Sequence, residues 1–390
     1  MKHHTYLVIG GGMTAASALH GIRAVDKEGD IAVISAEIQQ PYDRPPLSKQ
    51  LWTGKKRVDD IWRRLPDGVT FYLGRTVMDL DLQRKEVRDD AGDVYRFDRL
   101  LLATGGAPRR LPFGGDNIIY FRGLDSFQRL HTLAEEEERF AVIGGGFIGS
   151  EIAAALAMQG KQVAMLFPET AIGDRIFPAD LARYLNGYYR ENGVEVLPGE
   201  MVVDLHGEGT DLTLHTASGR QIGVNAVVAG IGITPNVGLA QGAGLEVADG
   251  IVVDGSLRTS HPDVYAAGDV ASYWDEVLGV RRRVEHEDAA NTMGDVAGRA
   301  MAGANVTYDN TPTFYSDMFH LGYEAVGRLD SRLKTIAHWE ERYRKGIVYY
   351  LEEGRVSGVL LWNVWGQVEE ARHLLTEQVA FTPEAPAYSL

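Results

Sequence analysis

An α/β fold with two parallel-sheet units and a smaller C-terminal α+β domain is predicted by three observations. Residues 140–169, FAVIGGGFIGSEIAAALAMQGKQVAMLFPE, read as strand, glycine turn, helix and strand. Residues 5–14, TYLVIGGGMT, open a second copy of that pattern, with its second strand at Ile31–Ser35. From about Thr311 the chain turns strand-rich, with four apolar runs and one helical segment. The expected architecture is two Rossmann-like dinucleotide-binding domains, one of 1–112 with 236–310 and the other of 113–235, then an α+β domain of 311–390.

The stretch from Phe140 carries the physical reason. Phe140–Ile143 is too short for a helix and fits a buried parallel strand. Gly144, Gly146 and Gly149 follow as G-x-G-x-x-G where a helix must begin. The first glycine permits the tight turn, the second lets backbone approach a pyrophosphate, and the third lets helix pack on strand. The helix N-terminus then offers free N–H groups and its positive dipole end to the phosphates. Gly145, Phe147 and Ile148 complete this candidate turn. Glu169 lies 20 residues past Gly149, where an acid binds a ribose 2′-hydroxyl and repels a 2′-phosphate, favouring NADH over NADPH. In the N-terminal copy the candidates are Gly10, Gly11, Gly12, Met13 and Thr14, in the frame Gly10-x-Gly12-x-x-Ala15. Two such units point to two cofactors held face to face.

Taken in order, the strand ending at Ser35 is followed by Ala36 and Glu37, and Glu37 is the candidate acid for the first ribose. Prolines in PYDRPPLSK, 41–49, hold an extended loop and stop any helix before Leu47. Arg44 could neutralise pyrophosphate there, and Lys49 could reach a cofactor ring. Val69–Leu82 and Glu86–Phe97 alternate as antiparallel strands with a turn at Asp90–Asp93. Leu100–Ala103 is a buried strand running into Thr104-Gly105-Gly106-Ala107-Pro108-Arg109, a turn that brings backbone against a cofactor. The glutamates at 135–138 read as a solvated helix end, and Val194–Val203 and Asp211–Thr216 as strands. Ala226–Ala229 closes the second unit with Gly230, Gly232 and Thr234-Pro235-Asn236, again a turn suited to packing on a dinucleotide. Asp263–Asp269, DVYAAGD, is a strand ending in a small-residue turn, with Asp269 placed to accept from a sugar-alcohol hydroxyl. Glu285, His286 and Glu287 precede a helix at Asp288–Met301 whose N-terminus points at what that turn holds. The last domain carries strands at Glu324–Leu329, Lys334–Trp339, Lys345–Leu351 and Val356–Trp362. Gly354 turns a hairpin, and a helix spans Gln367–Glu377.

Composition bounds the function classes. The 390 residues are 45% hydrophobic and 24% charged, as in a globular protein of two or three domains. A net charge of -15 argues against sequence-independent binding to nucleic acid or anionic membrane. The basic run Arg281-Arg282-Arg283 reads as a solvated hairpin turn. No apolar window reaches 18 residues, so no membrane span is expected, and with no secretory leader the expected location is cytoplasmic. His3 and His4 are too few for a metal site. With no cysteine, every thiol or disulfide mechanism is excluded.

Two nucleotide units, the A-T-G-G turn and the late A-G-D turn together resemble the two-dinucleotide-domain flavoprotein reductases, of glutathione-reductase-like architecture. PYDRPPLSK with Leu51-Trp52, LFPE at 166–169, RRRVEH at 281–286, GYEAVG at 322–327 and GVLLWN at 358–363 resemble one branch, that of apoptosis-inducing factor and, next, the ferredoxin reductases of oxygenase systems. The resemblance implies FAD, NADH and a reduced-flavin–NAD charge-transfer complex, in a compact bacterial relative. Arg44, Lys49, Val77, Arg109 and Asp269 match FAD contacts, with Ala103, Thr104 and Gly105 at the A-T-G-G turn. Gly146, Phe147, Glu169, Gly232, Glu285, His286 and Glu324 match positions near NAD, and Lys49 with Glu151 matches an ion pair beside the flavin. Tyr315 stands where the branch has a tryptophan near the nicotinamide, and Ala36 replaces an acid at the FAD ribose. The long insertion of the animal protein is absent between Trp339 and Lys345, so its cell-death role, DNA binding and mitochondrial partners are not implied.

The implied reaction is FAD-dependent oxidation of NADH, with hydride passing from nicotinamide C4 to flavin N5. Lys49, Glu151, Phe147 and His286 are the catalytic candidates. The electron acceptor stays open between a quinone, a small oxidant and a protein. A second reading is an NADH-dependent ferredoxin reductase of an oxygenase system. A third is a slow-turnover redox sensor, in which NADH changes shape or drives homodimer formation.

Overall fold

The strand Lys2–Ile9 pairs in parallel with Ile31–Ser35 on one side and Val94–Leu102 on the other. Short apolar runs buried on both faces favour this arrangement. The computed structural model describes residues 1–377, so residues 378–390 of the expected C-terminal domain lie outside the described residues. The chain divides into two units.

The first unit comprises 1–43, 58–107 and 234–313. Its seven-stranded sheet runs in the order Val69–Leu73, Ile31–Ser35, Lys2–Ile9, Val94–Leu102, Glu86–Asp89, Val77–Asp81, with Val264–Ala266 also paired to Val94–Leu102. Leu7, Val8, Ala32, Val33, Leu100 and Leu101 are fully buried in it. The helix Met13–Val25 packs closely on Glu287–Met301. A Cβ on Gly294 would lie 2.4 Å from the Thr14 carbonyl oxygen, and one on Gly298 2.2 Å from that of Ala18. Only glycine lets the two backbones approach so near.

Two expectations fail in this unit. Val69–Leu73 is not part of an antiparallel strand running on to Leu82: it extends the parallel sheet beside Ile31–Ser35, and antiparallel pairing begins at Val77. Arg281–Arg283 is not a solvated turn. The turn of that hairpin lies between Asp275 and Val280, and the arginines come after it. Arg281 donates to the carbonyls of Val253 and Ser272, Arg282 pairs with Asp275, and Arg283 reaches Asp249, Glu285 and the Asp269 carbonyl.

The second unit comprises 44–57, 108–233 and the chain from 314. Its parallel sheet has the order Val194–Pro198, Gln162–Phe167, Arg139–Ile143, Ala226–Ala229, Ile118–Tyr120. The expected strand Val194–Val203 breaks at Gly199, φ +75°, and resumes as Val202–Glu208 in a three-stranded antiparallel sheet. The helix Ala179–Glu191 was not anticipated, although Leu181, Ala182, Leu185, Tyr188 and Tyr189 form its buried stripe. Beyond Phe314 lies a five-stranded antiparallel sheet in which Leu321–Gly327, Arg355–Trp362, Lys345–Glu352 and Lys334–Glu341 are successive neighbours. Glu353 at φ +50° and Gly354 at φ +80° turn the hairpin, and the helix Val368–Thr376 covers this sheet. Among the described residues, no helix is long and apolar enough to cross a membrane.

Candidate functional site

In the first unit the candidates gather around the opening glycine turn. Gly10 sits at φ +111°, and a Cβ there would lie 2.1 Å from the Ala103 carbonyl oxygen. Gly11 is pressed against Ser35, whose Oγ would be 2.5 Å from a Cβ. Gly12, the residue before the helix, has nothing within 4 Å of where a Cβ would stand. The N-cap is Gly12, which has no side chain to accept from the first turn of that helix. Met13 and Thr14 are buried at its start. Gly268, φ +75°, seats the A-G-D turn against Thr14, whose Oγ1 would meet a Cβ at 2.2 Å. Asp269 therefore stands beside the helix opening.

The second acid of this unit lies past the Ile31–Ser35 strand. The Glu37 amide donates to Ser35 Oγ at 3.2 Å, and the Tyr42 hydroxyl donates to its carboxylate at 2.7 Å. Thr104 and Gly105 are fastened to Asn236: Thr104 Oγ1 donates to the Asn236 carbonyl at 2.9 Å, and Asn236 donates back to the carbonyls of Thr104 at 2.8 Å and Gly105 at 2.9 Å. The A-T-G-G and T-P-N turns thus pack on each other. Val77 opens the antiparallel ribbon and rests partly buried on the core.

His286 precedes the Glu287–Met301 helix, beside Glu285, which pairs with Arg283 at 2.8 Å. Burial first, then the Arg282 cation, push its imidazole down to about 4, while the Asp269 carboxylate pulls the other way. The side chain is neutral at pH 7, which bars it from acting there as a general acid. The unfolded chain takes up this proton near the ordinary 6.5, whereas the native state resists it. Stability is therefore unaffected above that pH and is lost as pH falls through the window from 6.5 towards 4. Between pH 7 and 4.5 the wild type is expected to lose about 2 kcal/mol more than His286→Gln. Denaturant midpoints of both proteins at the two pH values measure this, and equal losses would contradict it.

The second unit repeats the glycine geometry. Gly144 has φ +118°, with a Cβ position 2.4 Å from the Gly230 carbonyl oxygen, and Gly149 would put a Cβ 2.0 Å from that of Gly144. Gly145 lies against the Phe167 ring at 2.9 Å. Gly146 alone of the four has nothing within 4 Å. The helix Phe147–Met158 again starts without a side-chain cap. Phe147 and Ile148 stand exposed at its first turn, with the Phe147 ring edge-on to Phe314 at 5.8 Å. Glu169 lies just past the Gln162–Phe167 strand and pairs with exposed Arg175 at 2.8 Å. Gly232, φ +88°, accepts from the Arg109 amide at 2.9 Å, and Arg109 Nε donates to the Ile233 carbonyl at 3.2 Å. Arg44 donates to the Arg122 carbonyl at 3.1 Å. Glu324 accepts from the Gly366 amide at 2.8 Å, which holds a neighbouring loop.

Lys49 and Glu151, far apart in sequence, meet in this unit at 2.8 Å, with side chains 9% and 2% exposed. Ser48 donates to the other Glu151 oxygen at 2.5 Å, and Ser316 donates to Oε1 at 2.6 Å. Lys49 Nζ also lies 5.2 Å from the centre of the Tyr315 ring. The serines were missed by sequence reasoning. Ser48 sits in PYDRPPLSK and Ser316 next to Tyr315, and those adjacencies were the only signal.

A dinucleotide fits both turns. In each, the other glycines are backed by protein backbone or side chains, while a Cβ on Gly12 or Gly146 would meet nothing within 4 Å, just before a helix whose N-cap is that glycine. Each has an acid past the second strand, Glu37 or Glu169. Comparisons agree with this geometry. Residues 4–294 match the family described as pyridine nucleotide-disulphide oxidoreductase. Residues 297–342 and 337–377 match the C-terminal domain described as apoptosis-inducing factor, mitochondrion-associated. The chain is 35% identical to a mitochondrial apoptosis-inducing factor 1 of Dictyostelium discoideum, covering 97% of this chain and 79% of that one. It is 31% identical to the ferredoxin reductase subunit of a 5,5′-dehydrodivanillate O-demethylase from Sphingobium, covering 97% and 94%. Among solved structures, a covalent putidaredoxin reductase–putidaredoxin complex superposes with TM-score 0.91 at 27% identity, covering 98% of this chain and 95% of that one.

Proposed function

We propose, from the premise that this chain belongs to the pyridine nucleotide-disulphide oxidoreductase family and is an FAD-dependent NAD(P)H oxidoreductase, that it oxidises NADH and passes the electrons to an acceptor without any thiol. The observation that carries this is the pair of open glycines, Gly12 and Gly146, each before an uncapped helix, in a chain with no cysteine. A redox disulfide is thereby excluded despite the family's name.

In this reading 1–112 with 236–310 bind FAD and 113–235 bind NADH, with 311–390 as the third domain. When bound, the flavin supplies hydride acceptance and the nicotinamide supplies the hydride. The chain binds and orients. The N–H groups at Gly12–Thr14 and Gly146–Ile148 hold the two pyrophosphates, with Arg44 and Arg109 adding charge on the FAD side. Glu37 and Glu169 take the two adenosine riboses, and Asp269 takes the flavin's sugar-alcohol chain. Val77, Ala103, Thr104 and Gly105 shape the FAD pocket. Gly232, Glu285, neutral His286, Tyr315 and Glu324 line the nicotinamide side, where Phe147 packs on the ring. Lys49, anchored by Glu151, holds positive charge for the reduced flavin. Retention of NAD beside reduced flavin as a charge-transfer complex belongs to the same reading, as does a cytoplasmic setting, where NADH is the available reductant.

Glu169 supports NADH as the substrate. Its carboxylate is half of an ion pair with Arg175, so the local charge offers little to a 2′-phosphate. Glu169→Ala is expected to weaken NADH by about tenfold and to leave NADPH unchanged or improved, because Arg175 loses its counter-charge. Steady-state kcat/KM for both coenzymes checks this, and an unchanged ratio would remove Glu169 from coenzyme choice.

For the acceptor, quinones and small oxidants remain within the main reading. A ferredoxin-type partner is the second reading, supported by the likeness to reductases that serve one. Cytochrome c reduction with and without added ferredoxin separates them: strong ferredoxin dependence supports the second. An NADH-dependent change in molecular size with very slow turnover supports the sensor and homodimer reading instead.

A further inference from the structure

Glu151 is a carboxylate 3% exposed that receives three donors. Lys49 reaches Oε1 at 2.8 Å, Ser316 reaches the same oxygen at 2.6 Å, and Ser48 reaches Oε2 at 2.5 Å. Ser48 and Ser316 are themselves buried, 5% and 1% exposed. A hydroxyl has one proton to give, and Ser316 spends it on the carboxylate. The result is a carboxylate held by Ser316 and Lys49 on one oxygen and by Ser48 on the other.

A buried ion pair is tolerable only when the remaining lone pairs of its carboxylate are also satisfied. The two serines do this from two different segments, the 44–57 loop and the strand Thr313–Met318. They fix the carboxylate plane from both oxygens, and that plane fixes where the ammonium of Lys49 can sit. Tyr315, next to Ser316, bounds the ammonium from another side.

We infer that Ser48 and Ser316 are positioning residues that orient Glu151, and through it hold the Lys49 ammonium in place for the reduced cofactor. This inference rests on the reading that Lys49 serves the FAD site. Freed of either hydroxyl, the carboxylate rotates, the ammonium loses its fixed position, and reduced flavin loses part of its stabilisation.

The test is the two-electron midpoint potential of the flavin in the purified holoprotein, read by dithionite titration against a reference dye, with no NADH present. Ser48→Ala and Ser316→Ala are each expected to lower the potential, and the double variant to lower it further. Flavin reduction by NADH should slow about tenfold in each single variant. Ser316→Thr keeps the hydroxyl and should restore the wild-type potential. If the double variant does not fold, the single variants and Ser316→Thr carry the comparison. Potentials equal to wild type, with only a lower melting temperature, would show that the serines serve stability alone and overturn the inference. A wild type that binds flavin and titrates with dithionite, but takes no electrons from NADH, would remove the NADH reading while the potential comparison still decides the serines.

Discussion

Gly146→Val is expected to abolish NADH binding while leaving a folded, yellow protein. The position has nothing within 4 Å of a Cβ, so the branched side chain meets no protein atom near its root and projects into the space before the helix. That is where a pyrophosphate must approach backbone N–H groups. Affinity for NADH should fall at least about 100-fold, roughly 3 kcal/mol. The melting temperature should stay near wild type. Gly149→Val is the contrasting control: its Cβ would lie 2.0 Å from the Gly144 carbonyl oxygen, so the turn itself fails and the protein should misfold. Calorimetric NADH titration and thermal melts of both variants separate block from collapse. Near-normal NADH affinity in Gly146→Val would place the coenzyme elsewhere.

Lys49→Ala carries the second large effect, on two scales. It strands a carboxylate 2% exposed with only the two serine hydroxyls as donors. Breaking a buried pair this way costs about 3–5 kcal/mol of stability. If Lys49 also holds charge for the reduced flavin, flavin reduction by NADH should slow about 100-fold, the scale of removing one preorganised charge-stabilising donor. Adding Glu151→Gln should recover stability, because no buried charge is left unpaired, without recovering the rate. Denaturant unfolding and anaerobic stopped-flow reduction measure the two effects separately. A wild-type reduction rate in Lys49→Ala would make the pair structural.

What the sequence made legible was local and periodic. Ile31–Ser35 was read to the residue, because a continuous apolar run bounded by turn residues leaves little freedom. The glycine turns were legible because phosphate approach and helix–strand packing both demand a missing side chain at fixed spacing. Pairing partners were not. Val69–Leu73 alternates like an antiparallel strand, yet its partner is Ile31–Ser35, set by the sheet order and not by its neighbours in sequence. Arg281–Arg283 looked solvated because charge runs usually are, but the carbonyls and carboxylates they satisfy come from residues 249 to 285 folded around them. Helix Ala179–Glu191 carries a clear apolar stripe, although Asn186 and Gly187 interrupt it with poor helix formers. In the candidate site, motif residues were visible and their supports were not. Ser316 is 165 residues from Glu151, and a lone serine carries no spacing that announces its partner.

The central claim is that this chain holds FAD and reduces it with NADH. An anaerobic titration of the purified protein with NADH, with spectra recorded into the near infrared, tests it most directly. The flavin absorption band should bleach with one NADH per chain and give way to a broad long-wavelength band that persists on admitting air. A protein with no flavin spectrum, or one whose flavin band is unchanged by excess NADH, would contradict the claim.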